Sequence, residues 1–208
     1  MILADGTALT AHIANPGAMT SCLADAAPLR LTRSEDPKRK LAYSVEQIRV
    51  DGTWILVNTL RVNAVVRAAI ESGMIPELRY PRVESEVLLE PGHRVDFRLS
   101  GPETCWVEVK NVTLRVGDRA LFPDCRTERG TRHVEALIRA RRRGDRAVLF
   151  LHVGRGDCTS VAPSWEHDPD WAAAVERALD AGVEVIAWQA VVDADGARLG
   201  RRLPFDLR

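Results

Sequence analysis

The sequence predicts an α/β protein with two domains, a small β-rich domain over residues 1–62 and a larger mixed domain over residues 63–208. Before residue 62, short strand-like runs are separated by turn signals at residues 15–17, 36–37 and 51–52, and no helical pattern lies between them. Several short strands in succession are typical of a small barrel. After residue 62, helical and strand-like patterns alternate, as in α/β folds.

In the first domain, alternation and β-branched residues predict four strands, over residues 7–14, 29–32, 41–50 and 54–58. In the second, apolar spacing predicts a helix over residues 62–72 that ends at Gly73. A strand is predicted over residues 83–89, a hairpin over residues 94–109 and a helix capped by Thr127 over residues 127–143. A strand over residues 147–153, a helix over residues 169–181 and a last strand over residues 183–188 follow. A helix-turn-helix at the end is disfavoured, because residues 183–188 have no helical period.

The hairpin brings together residues that can carry chemistry. Val95, Phe97 and Leu99 alternate with polar residues, and residues 100–104 form a turn cluster. A hairpin symmetric about Pro102 places Asp96 opposite Glu108 and Arg94 opposite Lys110. Directly opposed residues share a face, with Cβ atoms about 4.5–5.5 Å apart. Two carboxylates and one lysine are therefore expected to converge.

Two facing carboxylates repel each other unless a cation lies between them. Oxygen ligands that leave room for water suit Mg²⁺ or Mn²⁺. A lysine beside such a site, here Lys110, can orient an attacking water or stabilise developing negative charge. The residues alone leave a second interpretation open, in which Asp96, Glu108 and Lys110 form salt bridges on an exposed hairpin face.

The spacing from Asp96 to Glu108-Val-Lys110 resembles the PD-(D/E)xK nuclease motif. Six separated segments, in their order and spacing, resemble the sugar fermentation stimulation protein A (SfsA) family along nearly the whole chain. These segments lie at residues 15–20, 57–60, 85–87, 94–97, 107–114 and 122–133. The chain departs from the family in two ways. The family usually has a longer N-terminus before residues 3–5, so the first barrel strand is expected to be short or missing here. The family also commonly has Ser where this chain has His93.

The resemblance implies an N-terminal OB-like β-barrel followed by a PD-(D/E)xK nuclease-like α/β domain with a mixed sheet. It implies DNA binding, with Asp96, Glu108 and the additional acid Glu86 holding Mg²⁺ or Mn²⁺ and Lys110 positioning water. Asp96, Glu108 and Lys110 are the implied catalytic residues. The family's name suggests a regulatory role in sugar (maltose) metabolism.

The charge distribution favours a nucleic-acid partner although the net charge is zero. Residues 126–146 contain eight arginines and three acids, whereas residues 157–184 contain seven acids and one arginine. Either the arginines face DNA or they simply form a solvated helix end. The candidate DNA-binding residues are Arg129, Arg132, His133, Arg139 and Arg143 together with the loop residues Lys38, Arg39 and Lys40.

Three functions are compatible with these patterns. The leading hypothesis is a Mg²⁺-dependent DNA phosphodiesterase of low sequence specificity, acting on single- or double-stranded DNA. The alternatives are a non-catalytic, non-specific DNA-binding protein with a regulatory role and a protein-interaction module. The chain has no apolar run of about 18 residues, no signal peptide and no CxxC pair. A cytoplasmic protein without membrane contact is therefore expected. The sequence leaves open whether the protein forms a homodimer.

Overall fold

The computed structural model describes residues 1–2 and 6–208. Over these residues the chain forms a four-stranded N-terminal sheet, a six-stranded central sheet, a small three-stranded sheet and three α-helices. The expectation of a short or missing first barrel strand concerns residues 3–5 and lies outside the described residues.

The N-terminal sheet is built around its longest strand. Its members are β1 Ala11–Ile13, β2 Leu29–Arg33, β3 Tyr43–Val50 and β4 Thr53–Leu56. β3 pairs antiparallel with β2 and β4, and its first three residues pair parallel with β1. Val45, Ile48 and Ile55 pack with the buried Met19 and Cys22 beneath the sheet. The described strands form an open sheet and do not close into a barrel.

The central sheet is mixed, as expected, with the strand order β13-β12-β10-β7-β6-β5. β7 runs parallel to β10 and β10 parallel to β12, whereas the other neighbouring pairs are antiparallel. The strands are β5 Arg82–Glu90, β6 His93–Ser100, β7 Thr104–Val112, β10 Arg146–Val153, β12 Glu184–Asp193 and β13 Gly196–Leu203.

The central strand β10 explains where the helices lie. Val148 and Phe150 pack with the buried face of α1 Val62–Glu71, whereas Leu149 and Leu151 pack with α2 Glu128–Arg142 and α3 Pro169–Asp180. Because successive strand residues point to opposite faces, α1 covers one face of the sheet and α2 and α3 cover the other. This burial on both faces accounts for the continuous apolar sequence of β10.

The predicted helix starts are present in the structure. The Oγ1 atom of Thr127 accepts a hydrogen bond from the backbone N–H of Gly130 at 3.0 Å, which caps α2. Asp168 accepts from the N–H of Trp171 at 3.0 Å, and Pro169 occupies the first position of α3. The hairpin that follows α3 confirms that this region is not a helix-turn-helix.

Four strands were not predicted. Three of them, β8 Leu114–Val116, β9 Arg119–Phe122 and β11 Ser160–Pro163, form the small sheet, and β13 follows the strand that was expected to be the last. The first three are only three or four residues long, and β13 carries three arginines and two glycines. Neither composition gives a clear period-two pattern.

Strands β5 and β6 change faces midway, and this corrects the expectation that Val95 and Phe97 share a face. Val83 and Phe97 pack on the α1 side, whereas Val87 and Val95 pack on the α2 side. The change coincides with Glu86, whose φ of 55° is in the left-handed region. Asp96 lies in β6 between Val95 and Phe97, whose partners in β5, Val87 and Ser85, lie on either side of Glu86.

Candidate functional site

A cleft of about 710 Å³ opens where the N-terminal segment meets the second half of the chain. Residues 15–17, the start of α1 and the loop that leads into α2 form its walls. Asp96 and residues from the end of β7, including Val109 and Lys110, line its base. The cleft therefore contains two of the residues that the hairpin pattern singled out.

Asp96 is held by hydrogen bonds at both carboxylate oxygens. Oδ1 accepts from the side-chain amide of Asn63 at 2.7 Å, and Oδ2 accepts from the backbone N–H of Val109 at 2.7 Å. The predicted register is observed from Phe97–Val107 to Ser100–Thr104, and the bond from Val109 to Asp96 lies just beyond that ladder. Burial, with a further contribution from the charge of Glu108, raises the pKa of Asp96 from 3.8 to about 6.

Glu108 uses only one of its two carboxylate oxygens. Oε1 contacts Lys110 Nζ at 2.5 Å and also contacts Nδ1 of His133. Oε2 is buried and has no hydrogen-bond partner among residues 1–2 and 6–208. Burial acts to raise the pKa of Glu108, but the charge of Lys110 and the contact with His133 outweigh it and hold that pKa below its usual value. Glu108 is therefore a buried carboxylate with one anchored oxygen and one unpaired oxygen.

His133 belongs to the site rather than to the helix surface. Its Nε2 lies 3.3 Å from Nε of Arg129, which can only donate, so Nδ1 carries the hydrogen that is donated to Glu108. The imidazole of His93 packs edge-on against that of His133, with ring centroids 6.3 Å apart. Arg129 and His93 therefore fix the ring that in turn orients Glu108.

The unpaired oxygen makes these residues a fit for a divalent cation. An unpaired buried carboxylate oxygen is unfavourable unless something neutralises it, and Asp96 is close enough for the charge of Glu108 to raise its pKa. Within residues 1–2 and 6–208 there is no cluster of three or more His, Cys, Asp or Glu side chains arranged to hold a metal. If a cation binds here, Asp96 and Glu108 would supply two ligands and water the remainder, a donor set that Mg²⁺ accepts.

We expect the His133→Ala variant to bind a divalent cation about 10–100-fold more weakly, because outer residues that orient metal ligands typically contribute that much. The measurement is the rise in melting temperature over a titration of Mg²⁺ or Mn²⁺. His12→Ala is a suitable control, because His12 is exposed on β1. An unchanged affinity in His133→Ala would show that Glu108 does not need this support.

Glu86 is not brought into the cleft. It is exposed, it does not line the cavity, and its backbone carbonyl accepts a bond from Arg94 at 2.5 Å. Its neighbours Ser85 and Val87 pair with Phe97 and Val95, the residues on either side of Asp96. The role of Glu86 as a metal ligand stays a prediction.

Apart from His133, the predicted DNA-binding residues lie at the rim of the cleft, on the surface of α2 and in the loop between β2 and β3. Arg129 is exposed at the rim of the cleft. Arg139 and Arg143 both pair with Glu90, with closest distances of 2.6 and 3.5 Å, and Arg132 lies 3.6 Å from Glu128. Part of the positive charge of α2 is therefore neutralised locally.

The basic loop lies apart from the cleft. Lys38, Arg39 and Lys40 are exposed between β2 and β3, where Arg39 donates to the hydroxyl of Ser44 at 2.9 Å. None of the three lines the cavity. They remain candidates for a second, peripheral contact with nucleic acid.

Two site residues were not singled out from the sequence. Asn63 holds Asp96, and Asp124 accepts a hydrogen bond from the backbone N–H of Met19 at 2.7 Å. Asn63 carries no signal of its own in the apolar pattern of α1. Asp124 lies within one of the segments that resemble the SfsA family, which was the available clue.

Comparison with known proteins identifies the family of the chain. The family model described as "Sugar fermentation stimulation protein RE domain" matches residues 60–196, and the one described as "SfsA N-terminal OB domain" matches residues 1–57. The chain belongs to the sugar fermentation stimulation protein family. The predicted fold class, an OB domain followed by a mixed-sheet α/β domain, is confirmed. The division at residue 62 stays a prediction.

Two relatives and one solved structure match nearly the whole chain. The chain is 46% identical to a sugar fermentation stimulation protein homolog of Geobacter sulfurreducens, over 97% of this chain and 88% of the relative. It is 44% identical to a homolog of Pelobacter propionicus, over 100% of this chain and 91% of the relative. Pyrococcus furiosus SfsA, whose structure was solved in complex with Ca²⁺, has a TM-score of 0.87 at 26% identity and covers 94% of this chain and 85% of its own.

None of the helices in the described part of the chain is both long and apolar enough to cross a membrane.

Proposed function

We propose that this protein is a divalent-cation-dependent DNA phosphodiesterase of low sequence specificity, with its active site at the base of the cleft. The observation that supports this most directly is the buried, unpaired Oε2 of Glu108, together with the charge of Glu108 that helps to raise the pKa of Asp96. Lys110 supplies a positive charge at Oε1 of Glu108 but not at Oε2. A divalent cation held by Asp96 and Glu108 would supply the missing positive charge.

The residues of the chain then have distinct roles. Asp96 and Glu108 hold the cation, which when bound would stabilise negative charge on the phosphate. Lys110 lines the cleft and donates one hydrogen to Glu108, so two further hydrogens of its ammonium group can orient the attacking water or a phosphate oxygen. Hydrolysis breaks a P–O bond of the backbone, adds the water oxygen to phosphorus and returns a proton to the leaving oxygen.

We propose Mg²⁺ or Mn²⁺ as the working cation. The Ca²⁺ bound by the Pyrococcus furiosus relative supports a divalent site in this fold. All the ligands offered here are carboxylate oxygens, which Mg²⁺, Mn²⁺ and Ca²⁺ accept. Mg²⁺ usually keeps several waters and needs only one or two carboxylates, the number that Asp96 and Glu108 would offer.

A non-catalytic DNA-binding protein is the second candidate, and one observation favours it. Oε1 of Glu108 is already contacted by both Lys110 and His133, so much of its charge is balanced without a cation. In that case the arginines of α2 would bind DNA and the buried acids would be structural. Regulation of sugar metabolism is compatible with this candidate.

Incubation with labelled single- and double-stranded DNA in Mg²⁺, Mn²⁺, Ca²⁺ or EDTA separates the two candidates. The proposed enzyme produces shorter fragments with Mg²⁺ or Mn²⁺ and none with EDTA. Intact DNA under every condition, together with a measurable binding affinity, would favour the non-catalytic protein.

The salt dependence of DNA binding tests the basic rim. Arg126 and Arg129 are exposed beside the cleft, and we expect the Arg126→Gln, Arg129→Gln double variant to lower the slope of log affinity against log salt. The decrease should be about 0.7–0.9 for each lost phosphate contact, and it should be similar for unrelated sequences. Replacing Arg139 and Arg143 should lower it less, because Glu90 already pairs with both.

Arg198→Gln provides a matched control, because Arg198 is an exposed arginine that pairs with Asp193 at the far hairpin. Fluorescence anisotropy at several salt concentrations gives the slope for each variant. Equal slopes for the rim variant and this control would remove the rim from the DNA-binding surface.

A further inference from the structure

One wall of the cleft is a strap, defined here as residues 14–19, that is fastened at both ends. At one end the carbonyl of Ala14 accepts bonds from the backbone N–H and the hydroxyl of Thr59, at 3.0 and 2.9 Å. At the other end the N–H of Met19 donates to Asp124 Oδ2 at 2.7 Å. The strap thus connects the α1 side of the cleft to the loop before α2.

The strap fits closely against that loop. A Cβ atom added to Gly17 would lie 2.7 Å from both carboxylate oxygens of Asp124, closer than such atoms can approach. Asn15 adds a bond from its side-chain amide to the carbonyl of Val57 at 3.0 Å. The strap cannot move away from this loop without breaking hydrogen bonds at one of its ends, so this wall of the cleft is held in place.

The candidate reacting groups are recessed, and of them Asp96 and Lys110 line the cleft. The side chains of Glu108, Lys110 and His133 are only 4%, 14% and 13% exposed. A phosphodiester must therefore enter the cleft to reach them. In duplex DNA each backbone is tied to the other strand by base pairs, so one backbone cannot enter a narrow cleft alone unless the strands unpair. An unpaired strand is flexible, and enzymes with recessed sites act on single strands or on extruded nucleotides.

We infer that the cleft takes a single nucleic-acid strand, either single-stranded DNA or the unpaired end of a duplex, and that the strap excludes paired DNA. This inference rests on the proposed function and specifies its substrate class. The cleft volume of about 710 Å³ suits a short piece of one strand, because pockets of about 300–1,000 Å³ accommodate ligands of small-molecule size. The exposed Arg126 and Arg129 at its rim can contact the phosphates that remain outside.

A cysteine in the wall reports on occupancy. Cys125 lines the cleft and is partly accessible, whereas Cys22, Cys105 and Cys158 are buried. A maleimide should therefore modify Cys125 selectively in the folded protein. The Cys125→Ser variant should show no fast modification, which establishes the assignment.

The experiment measures the rate of maleimide modification by mass spectrometry in Ca²⁺, alone or with one of three DNA probes of the same sequence. The probes are a single-stranded oligonucleotide, a blunt duplex and a duplex with a single-stranded tail. Anisotropy sets equal occupancy, and a denaturing gel confirms that each probe stays intact. The single strand and the tailed duplex are expected to slow modification about tenfold when roughly nine tenths of the protein is bound. The blunt duplex is expected to leave the rate unchanged.

The outcomes separate this inference from the proposed function. Equal protection by the blunt duplex would overturn the single-strand inference and leave a DNA phosphodiesterase standing. Binding without protection by any probe would place DNA outside the cleft and overturn the inference as well. No binding and no protection, together with no cleavage, would overturn both.

The role of the strap has its own variant. Asp124→Ala removes the acceptor for Met19 N–H and should allow the blunt duplex to protect Cys125, which reduces the difference between paired and unpaired probes. Asp25→Ala, an exposed acid outside the strap, is the matched control. Unchanged discrimination in an Asp124→Ala protein that melts cooperatively would contradict the role of the strap. The wild-type footprint tests the inference independently if this variant does not fold.

Discussion

The Glu108→Gln variant is expected to lose more than about 100-fold in cleavage rate, because even residues outside the first ligand shell typically contribute 10–100-fold. The substitution removes the negative charge and gives one side-chain position a donor in place of an oxygen. Lys110 would lose its ion-pair partner at the same time. Asp96→Asn should have a comparable effect, because it removes the second carboxylate.

DNA binding should survive both substitutions within a few-fold, because the exposed arginines at the rim and on α2 are unchanged. Glu71→Gln is the matched control, since Glu71 is exposed and pairs with Arg67 on the same helix. Cleavage is measured with a labelled oligonucleotide in Mg²⁺ and binding by anisotropy. A Glu108→Gln protein that cleaves at the wild-type rate would remove Glu108 from the metal assignment.

The sequence predicted the centre of the site because the relevant geometry is local. A hairpin symmetric about Pro102 follows from alternation and turn chemistry, and the ladder from Phe97–Val107 to Ser100–Thr104 has that register. A period-two pattern also fixes which side of β7 carries Glu108 and Lys110. The chemistry of an Asp, a Glu and a Lys at close range follows from their ionisation alone.

The same periodicity failed where the backbone departs from regular pleating. The left-handed φ of Glu86 accompanies a change of face in β5 and β6, and no residue type there announces it, since glutamate rarely adopts that conformation. Asp96 consequently bonds to Asn63 of α1 and to the backbone of β7. These contacts depend on how distant elements pack, which a single-strand pattern does not contain.

His133 and Asp124 show the same limit at longer range. His133 was interpreted as a DNA contact because it lies near the start of a basic helix, but the packing of α2 against the sheet turns it toward Glu108. Asp124 joins the strap through a bond between residues 105 positions apart in sequence. The charge excess of α2 was likewise visible in the sequence, whereas its partial neutralisation by Glu90 was not.

The Asp96→Asn variant is also expected to change stability in opposite directions with and without metal. Burial and the charge of Glu108 raise the pKa of Asp96 from 3.8 to about 6, so ionisation of this carboxyl opposes folding. Its contribution to stability is favourable at low pH and is lost as the pH rises from about 4 to about 6. Between pH 4 and pH 8 in EDTA, the stability of Asp96→Asn relative to wild type should therefore increase by about 1–3 kcal/mol, at roughly 1.4 kcal/mol per pKa unit. The hydrogen bond that the amide loses at Asn63 or Val109 does not change with pH and leaves this increase intact.

Mg²⁺ or Mn²⁺ should act in the opposite direction and stabilise wild type relative to Asp96→Asn. A ligand that binds only the folded protein adds about 2.7 kcal/mol at a concentration 100 times its Kd, or a rise in melting temperature of about 5–10 °C for a chain of this size. Wild type gains this stabilisation, whereas Asp96→Asn lacks a ligand and should gain little. Thermal melts of both proteins between pH 4 and 8, in EDTA and in metal, measure the two effects. Parallel curves for the two proteins in EDTA, or an equal metal-induced shift in both, would show that Asp96 is neither a strained carboxylate nor a ligand.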